Sequence, residues 1–223
     1  MSKCDNEVGL VSNQAIFRKA NRTARVTGEI FLGPIRINGL WDDGYALDFH
    51  TIRSDFLGYD ELGHAQFDTE YTELGNLLHK LKYGGDASGA PRLAEAAAGF
   101  VRSWSARPEV IIPVPPSRVR AAQPLMNVAQ RIAKDLDLIL DVDSLRKTRD
   151  TPQLKGIPDH AKRVEALEGA FAVQGSALAN RRILLFDDLF RSGATMNAIT
   201  KVLRFAGVSG VFTLTLTRTR TKT

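Results

Sequence analysis

Apolar positions change period several times along this chain, and each change marks an element. Tyr71, Leu74, Leu77, Leu78 and Leu81 recur at three- and four-residue spacing, which predicts an amphipathic helix ending near Gly84-Gly85. A second helix is expected after Pro91, through Leu93, Ala97, Phe100 and Val101, and a third through Leu125, Val128, Ala129, Ile132 and Leu136. Between these two, Val110-Ile111-Ile112-Pro113 is a short apolar run of the kind a buried strand presents. It leads into the proline-stiffened loop Val114-Pro115-Pro116-Ser117. Further strands are expected over residues 138–142, 183–186 and 211–216, with a helix over 194–205. Strands alternating with helices from residue 110 onward predict an α/β domain with a mainly parallel sheet.

The N-terminal third reads differently. Residues 1–24 are polar without a clear period, as in a mobile arm or a short helix. From Arg25 to about Thr51, Val26, Ile30, Leu32, Ile35, Ile37 and Leu40 alternate with Gly28, Gly33, Pro34 and Gly39, as in short strands joined by tight turns. Trp41 to His50 looks like a turn followed by an alternating strand. The expected division is a polar arm (1–24), a small β-rich unit (25–70) and an α/β domain (71–223). Residues 144–163 are polar and basic, carry Pro152, Gly156 and Pro158, and have the length of a functional lid or a disordered segment.

With 223 residues, 43% of them hydrophobic, the chain can bury one sizeable core with a small appended unit. Cys4 is the only cysteine, which excludes a disulfide framework and a four-cysteine zinc site within one chain. His50, His64, His79 and His160 stand at no metal-ligand spacing. No stretch approaches the apolar length of a membrane helix and no secretory signal is read at the N-terminus, so a cytoplasmic protein without a membrane partner is expected. The net charge of +5 is spread along the chain, its densest cluster being Arg218, Arg220 and Lys222. That balance suits an anionic small molecule, and it leaves a nucleic-acid partner open.

The chemistry concentrates where Ile183-Leu184-Leu185-Phe186 runs into Asp187-Asp188 and then Leu189-Phe190-Arg191-Ser192-Gly193-Ala194-Thr195. The order reads as buried strand, acidic strand end, tight loop and helix start. In parallel sheets ligands bind at the carboxyl ends of strands. Carboxylates there accept hydrogen bonds from vicinal ribose hydroxyls and hold Mg²⁺ through water. Ser192, Gly193 and Thr195 open a helix whose free N–H groups and positive dipole end suit a phosphate. The pair of features suggests a phosphorylated ribose. Adjacent strand residues face opposite ways, so both acids act together only if the chain turns there, and the small-residue loop predicts that turn. Two other readings use the same residues: an Asp helix cap without a ligand, and a Walker-B-like strand. The latter needs a Gly-x-x-x-x-Gly-Lys-Ser/Thr loop, which does not occur.

The stretch from Ile183 to Thr195 resembles the 5-phosphoribosyl-1-pyrophosphate (PRPP) motif of type I phosphoribosyltransferases. More of the chain resembles the ComF-like branch of that family, the competence-protein-type relatives of amidophosphoribosyltransferases. The matching pieces are Leu78-His79-Lys80-Leu81-Lys82-Tyr83-Gly84-Gly85-Asp86, Ile112-Pro113-Val114-Pro115-Pro116-Ser117-Arg118, and Thr148 to Phe171 with Gln153, Arg163 and Gly169-Ala170-Phe171. The resemblance extends over residues 71–217. It implies a type I phosphoribosyltransferase fold, a mainly parallel sheet flanked by helices, with the N-terminal β unit as a hood that chooses the acceptor. Stacking on a base would then fall to Trp41, Tyr45, Phe49 and His50, although core packing is the commoner role of such alternating aromatics.

By the same resemblance Asp187 and Asp188 would hold the ribose hydroxyls and, indirectly, Mg²⁺. Arg191, Ser192, Gly193, Ala194 and Thr195 would wrap the 5-phosphate. Val114, Pro115, Pro116, Ser117 and Arg118 would form the pyrophosphate loop, a stretch that alone reads as a rigid turn. Lys147, Arg149 and Arg163 would belong to the mobile loop that closes over pyrophosphate, supplying charge as the C1–O bond breaks. The chain departs from the branch in having no four-cysteine zinc ribbon and in reading Arg120-Ala121-Ala122-Gln123-Pro124 after the pyrophosphate loop. The implied activity is Mg²⁺-dependent transfer of phosphoribose from PRPP to a nitrogen acceptor or base, with release of pyrophosphate and, as in many type I enzymes, a homodimer. The alternative is a non-catalytic PRPP- or nucleotide-binding module that engages DNA or a DNA-processing protein.

Overall fold

The computed structural model describes residues 30–116, 123–150 and 159–220. Its centre is a six-stranded sheet in the order β1-β2-β10-β9-β5-β6, made of β1 (Ile35–Arg36), β2 (Asp43–Phe49), β10 (Gly210–Arg218), β9 (Arg182–Phe190), β5 (Val110–Pro113) and β6 (Ile139–Leu140). Only the β1–β2 pairing is antiparallel; β2–β10, β10–β9, β9–β5 and β5–β6 are parallel. The protein is therefore a mixed α/β structure with a mainly parallel sheet, as the alternation of periods predicts.

Both faces of the sheet are covered, which is why its inner strands are unbroken apolar runs. On one face Leu184, Phe186, Ile111, Leu214 and Leu47 pack against α1 (Glu73–Tyr83), α2 (Ala90–Ser103) and α3 (Pro124–Leu136) through Leu74, Leu78, Leu93, Phe100 and Ile132. On the other, Ile183, Leu185, Ile112, Val211 and Ala46 pack against α5 (Ala194–Phe205) through Met196, Ile199 and Leu203. Each fully buried leucine or isoleucine contributes roughly 1.5–3 kcal/mol of transfer free energy.

The N-terminal unit divides in two. β1 and β2 join the central sheet, because Ala46 and Leu47 are both fully buried and β2 thus needs cover on each face. β3 (Thr51–Tyr59) and β4 (Ala65–Tyr71) form a separate antiparallel hairpin whose residues are mostly exposed. α1 follows directly. Thr72 caps it, accepting a hydrogen bond from Gly75 N–H at 3.0 Å while donating to the Phe49 carbonyl at 2.7 Å. A Cβ at Gly75 would stand 1.9 Å from the His50 carbonyl oxygen, so the residue lets the helix start press onto the end of β2.

The polar stretch from 144 is ordered at both ends. β7 (Leu145–Lys147) pairs antiparallel with β8 (Phe171–Val173), and α4 (His160–Ala166) lies between them in sequence. The expected arm 1–24, Ser117 and Arg118 of the expected pyrophosphate loop, Arg120, and Pro152, Gln153, Gly156 and Pro158 lie outside the described residues.

Candidate functional site

β9 does not end at the acids. It continues through Phe190, in register with β10 at Asp187–Thr215, Leu189–Thr217 and Phe190–Arg218, and the Thr219 N–H closes the pairing on the Phe190 carbonyl at 3.0 Å. The turn expected at Asp187-Asp188 is therefore displaced to residues 191–193, and the two carboxylates stay on opposite faces of the strand. Continued pairing with β10 is the reason.

Asp187 faces α5 and lines a cleft of about 160 Å³ together with Arg163 and residues 189–196. The floor of this cleft is the start of α5. Gly193 occupies its N-cap with φ +73°, a left-handed conformation that costs most side chains strain, and a Cβ there would stand 3.1 Å from the Phe190 ring. No side chain caps the helix, and its first turn holds no acid. The dipole end is thus open and unneutralised beside the Ser192 and Thr195 hydroxyls, which is the arrangement an anion requires. The structure therefore brings together Asp187, Arg163 and Arg191 to Thr195.

Burial, and then the neighbouring Asp188 carboxylate, push the Asp187 pKa up to about 8; the Asp188 N–H, 2.8 Å from Asp187 Oδ1, and Lys82 pull the other way. Among the described residues such a carboxyl has no ion-pair partner. Asp188 has one: Lys82 Nζ on α1 lies 2.8 Å from its Oδ2, with both side chains about three-quarters buried. Lys82 was assigned no role from the sequence. The signal for it was present, since Lys82 stands four residues after Leu78, on the buried stripe of its helix.

Val114 continues from β5, its N–H donating to the Phe186 carbonyl at 2.8 Å, so the Val114-Pro115-Pro116 stretch starts beside the acids. Lys147 and Arg149 are not among the described residues that line the cleft. Lys147 sits on β7 opposite Phe171, and Arg149 donates to the Ala166 and Glu168 carbonyls at 3.2 and 2.7 Å, tying down the end of α4.

The aromatic residues expected on a base have separate places. Trp41 is buried, donates from Nε1 to the Ile37 carbonyl at 3.0 Å and meets Phe190 edge-on at 6.2 Å, supporting the Gly193 loop. Tyr45 packs between Phe100 and Trp104. Phe49 carries the Arg220 guanidinium 4.2 Å above its ring. His50 alone of the four lies in a polar setting, hydrogen-bonded to Thr217 at 3.1 Å.

No protein-family model matches this chain. It is 33% identical over 110 residues to Competence protein F of Haemophilus influenzae, a match that covers 47% of this chain and 48% of that protein. The chain thus spans about half the length of the curated relative it matches. Among solved structures, the glutamine PRPP amidotransferase from B. subtilis complexed with ADP and GMP aligns at TM-score 0.43 and 15% identity, over 70% of this chain and 34% of that one. Adenine phosphoribosyltransferase from Leishmania tarentolae aligns at TM-score 0.41 and 10% identity, over 74% and 83%. Both scores are low, and the fold stated above rests on the chain's own strand order and pairing. The resemblance to ComF-like proteins carried by residues 78–86, 112–118 and 148–171 meets a curated counterpart in Competence protein F.

Proposed function

We propose that the chain binds Mg²⁺–PRPP at the carboxyl ends of β9 and β5 and transfers its phosphoribosyl group to a nitrogen acceptor, releasing pyrophosphate. The observation that carries this reading is the open N-terminus of α5, which shares one cleft with Asp187, Arg163, Ser192 and Thr195. The 5-phosphate sits on the N–H groups of residues 193–195, where the dipole end and two hydroxyls meet it. Asp187 accepts from a ribose hydroxyl, and Arg163 offers charge to the departing pyrophosphate. Catalysis then rests on positioning and on charge stabilisation at an oxocarbenium-like state rather than on a protein nucleophile.

Mg²⁺ suits this donor set. Among the described residues no group of three or more His, Cys, Asp or Glu converges as a cage, while burial and the neighbouring Asp188 carboxylate raise the Asp187 carboxyl. A hydrated Mg²⁺ carried by ligand phosphates and held by Asp187 through water would favour the ionised form of that carboxyl and screen the pyrophosphate. A PRPP-dependent pyrophosphate-release screen over nucleobases, amines and ammonia tests transfer. Release with one acceptor supports it; none with any acceptor contradicts it.

The name of the relative, Competence protein F, favours a second reading, in which the fold binds PRPP or a nucleotide without turnover and engages DNA or a DNA-processing protein. Gel shifts across a salt series separate the two. Steeply salt-dependent DNA binding at low micromolar protein supports the module, and no shift at low salt removes it.

A further inference from the structure

Gly193 sets the start of α5, yet among the described residues no backbone hydrogen bond from another element reaches residues 191–193. Packing fixes this turn instead, and the packing comes from a distant part of the chain. The tip of the Trp41 indole, Cη2, lies 3.3 Å from where a Cβ on Gly193 would stand. The Phe190 ring, which meets the indole edge-on, lies 3.1 Å from the same point. Phe190 and Gly193 line the cleft, and Trp41 stands behind them, 6% exposed.

The indole is itself enclosed by glycine backbone. A Cβ on Gly39 would overlap the Cη2–Cζ3 end of the ring, and one on Gly44 would stand 2.6 Å from Nε1. Nε1–H donates to the Ile37 carbonyl at 3.0 Å, which fixes the rotation of the ring. The turn that carries Trp41 is fastened to the helix as well. Leu40 N–H donates to Asn197 Oδ1 at 2.8 Å, and Asn197 N–H donates to the Gly193 carbonyl at 2.8 Å. Residues 37–41 thus reach α5 at two points one helical turn apart, the indole at Gly193 and the Leu40 amide at Asn197. Close-packed interiors yield little, so such a contact passes its position on to what it touches.

We propose that Trp41 is a positioning residue: seated by Gly39 and Gly44 and latched through Asn197, it holds the Gly193 turn in the shape that aims its N–H groups at the phosphate of a phosphorylated ribose. The proposal rests on the phosphoribose reading above. Several donors must converge on one anion, and each hydrogen bond weakens steeply as its angle closes, so a small rotation of the turn costs affinity. The role is confined to one end of the ligand, since the indole supports the start of α5 and not the Val114-Pro115-Pro116 stretch. It also gives the glycine-flanked Trp41 a function that base stacking does not, because the ring is buried behind the cleft wall.

The chain's two tryptophans supply a readout with its own control. Trp41 packs on the α5 face of the sheet, and Trp104, hydrogen-bonded to Asp43, packs on the opposite face. With 5-fluorotryptophan incorporated into the full chain, each gives a ¹⁹F resonance, assigned through Trp41→Phe. Ribose 5-phosphate is expected to shift the Trp41 resonance and leave that of Trp104 in place; saturable binding by calorimetry with both resonances unmoved overturns the proposal. Trp41→Leu removes the ring behind Gly193 and is expected to weaken ribose 5-phosphate at least about tenfold, while Trp41→Phe keeps an aromatic edge there and holds affinity within about threefold of the wild type. Asn197→Ala leaves the ring in place, frees the Leu40 N–H, and is expected to weaken binding about threefold or more; it decides the matter together with the ¹⁹F shift if Trp41→Leu does not fold. Binding within about twofold of the wild type in Trp41→Leu, or in Asn197→Ala where the former is unfolded, overturns the role of Trp41 while leaving the phosphate site standing. A wild type that binds neither ribose 5-phosphate nor Mg²⁺–PRPP overturns both.

Discussion

Lys82 and Asp188 form an ion pair of 2.8 Å that joins the last turn of α1 to the inner face of β9. The pair separates the fates of two adjacent acids. Asp188 is neutralised within the fold, whereas Asp187 looks into the cleft with its proton held to high pH. Lys82→Met leaves Asp188 partly buried and uncompensated, and is expected to cost about 1–3 kcal/mol in urea unfolding. Lys82→Met with Asp188→Asn is expected to recover most of that loss; a double variant as unstable as the sum of its parts would show that the pair has no coupling.

The titration of Asp187 sets a pH dependence with a definite sign. Its pKa is about 8 in the fold against an ordinary carboxyl value of 3.8, so between those values the folded state binds more protons than the unfolded one. Stability therefore falls as pH rises across that window, by at most about 1.4 kcal/mol per pH unit from this group. Asp187→Asn is expected to raise the thermal midpoint clearly more at pH 8 than at pH 5. Equal effects at both pH values would contradict the assignment.

Gly75 illustrates a position where helix propensity misleads. Alanine is the better helix former by about 1 kcal/mol, yet its Cβ here would stand 1.9 Å from the His50 carbonyl oxygen. Gly75→Ala is expected to destabilise the protein by about 2 kcal/mol or more, since backbone on each side must shift. A neutral or stabilising result in chemical denaturation would mean that α1 does not press on the end of β2.

The central strands were legible in the sequence because residues 110–113 and 183–186 are covered on both faces, which leaves them apolar at every position. α1, α2 and α3 were legible for the complementary reason, one apolar stripe each. The length of β9 was not. Its extension through Asp187 to Phe190 depends on pairing with Thr215, Thr217 and Arg218, residues whose alternation with leucine does not announce a strand edge. The place of β2 in the main sheet is hidden likewise, being set by pairing with residues 212–218 far along the chain. At the site, the Ser192-to-Thr195 loop was readable from its small residues. Lys82 was readable only as a position on the buried stripe of α1, because its partner Asp188 lies on another element.

The most direct measurement is titration of Mg²⁺–PRPP into the full chain by calorimetry, beside Ser192→Ala with Thr195→Ala. The account predicts saturable heat for the wild type below about 1 mM ligand, and at least about tenfold weaker binding in the double variant, near 1.4 kcal/mol. No heat from the wild type at several-fold higher ligand, or equal affinity in both proteins, would contradict a phosphate site at the start of α5.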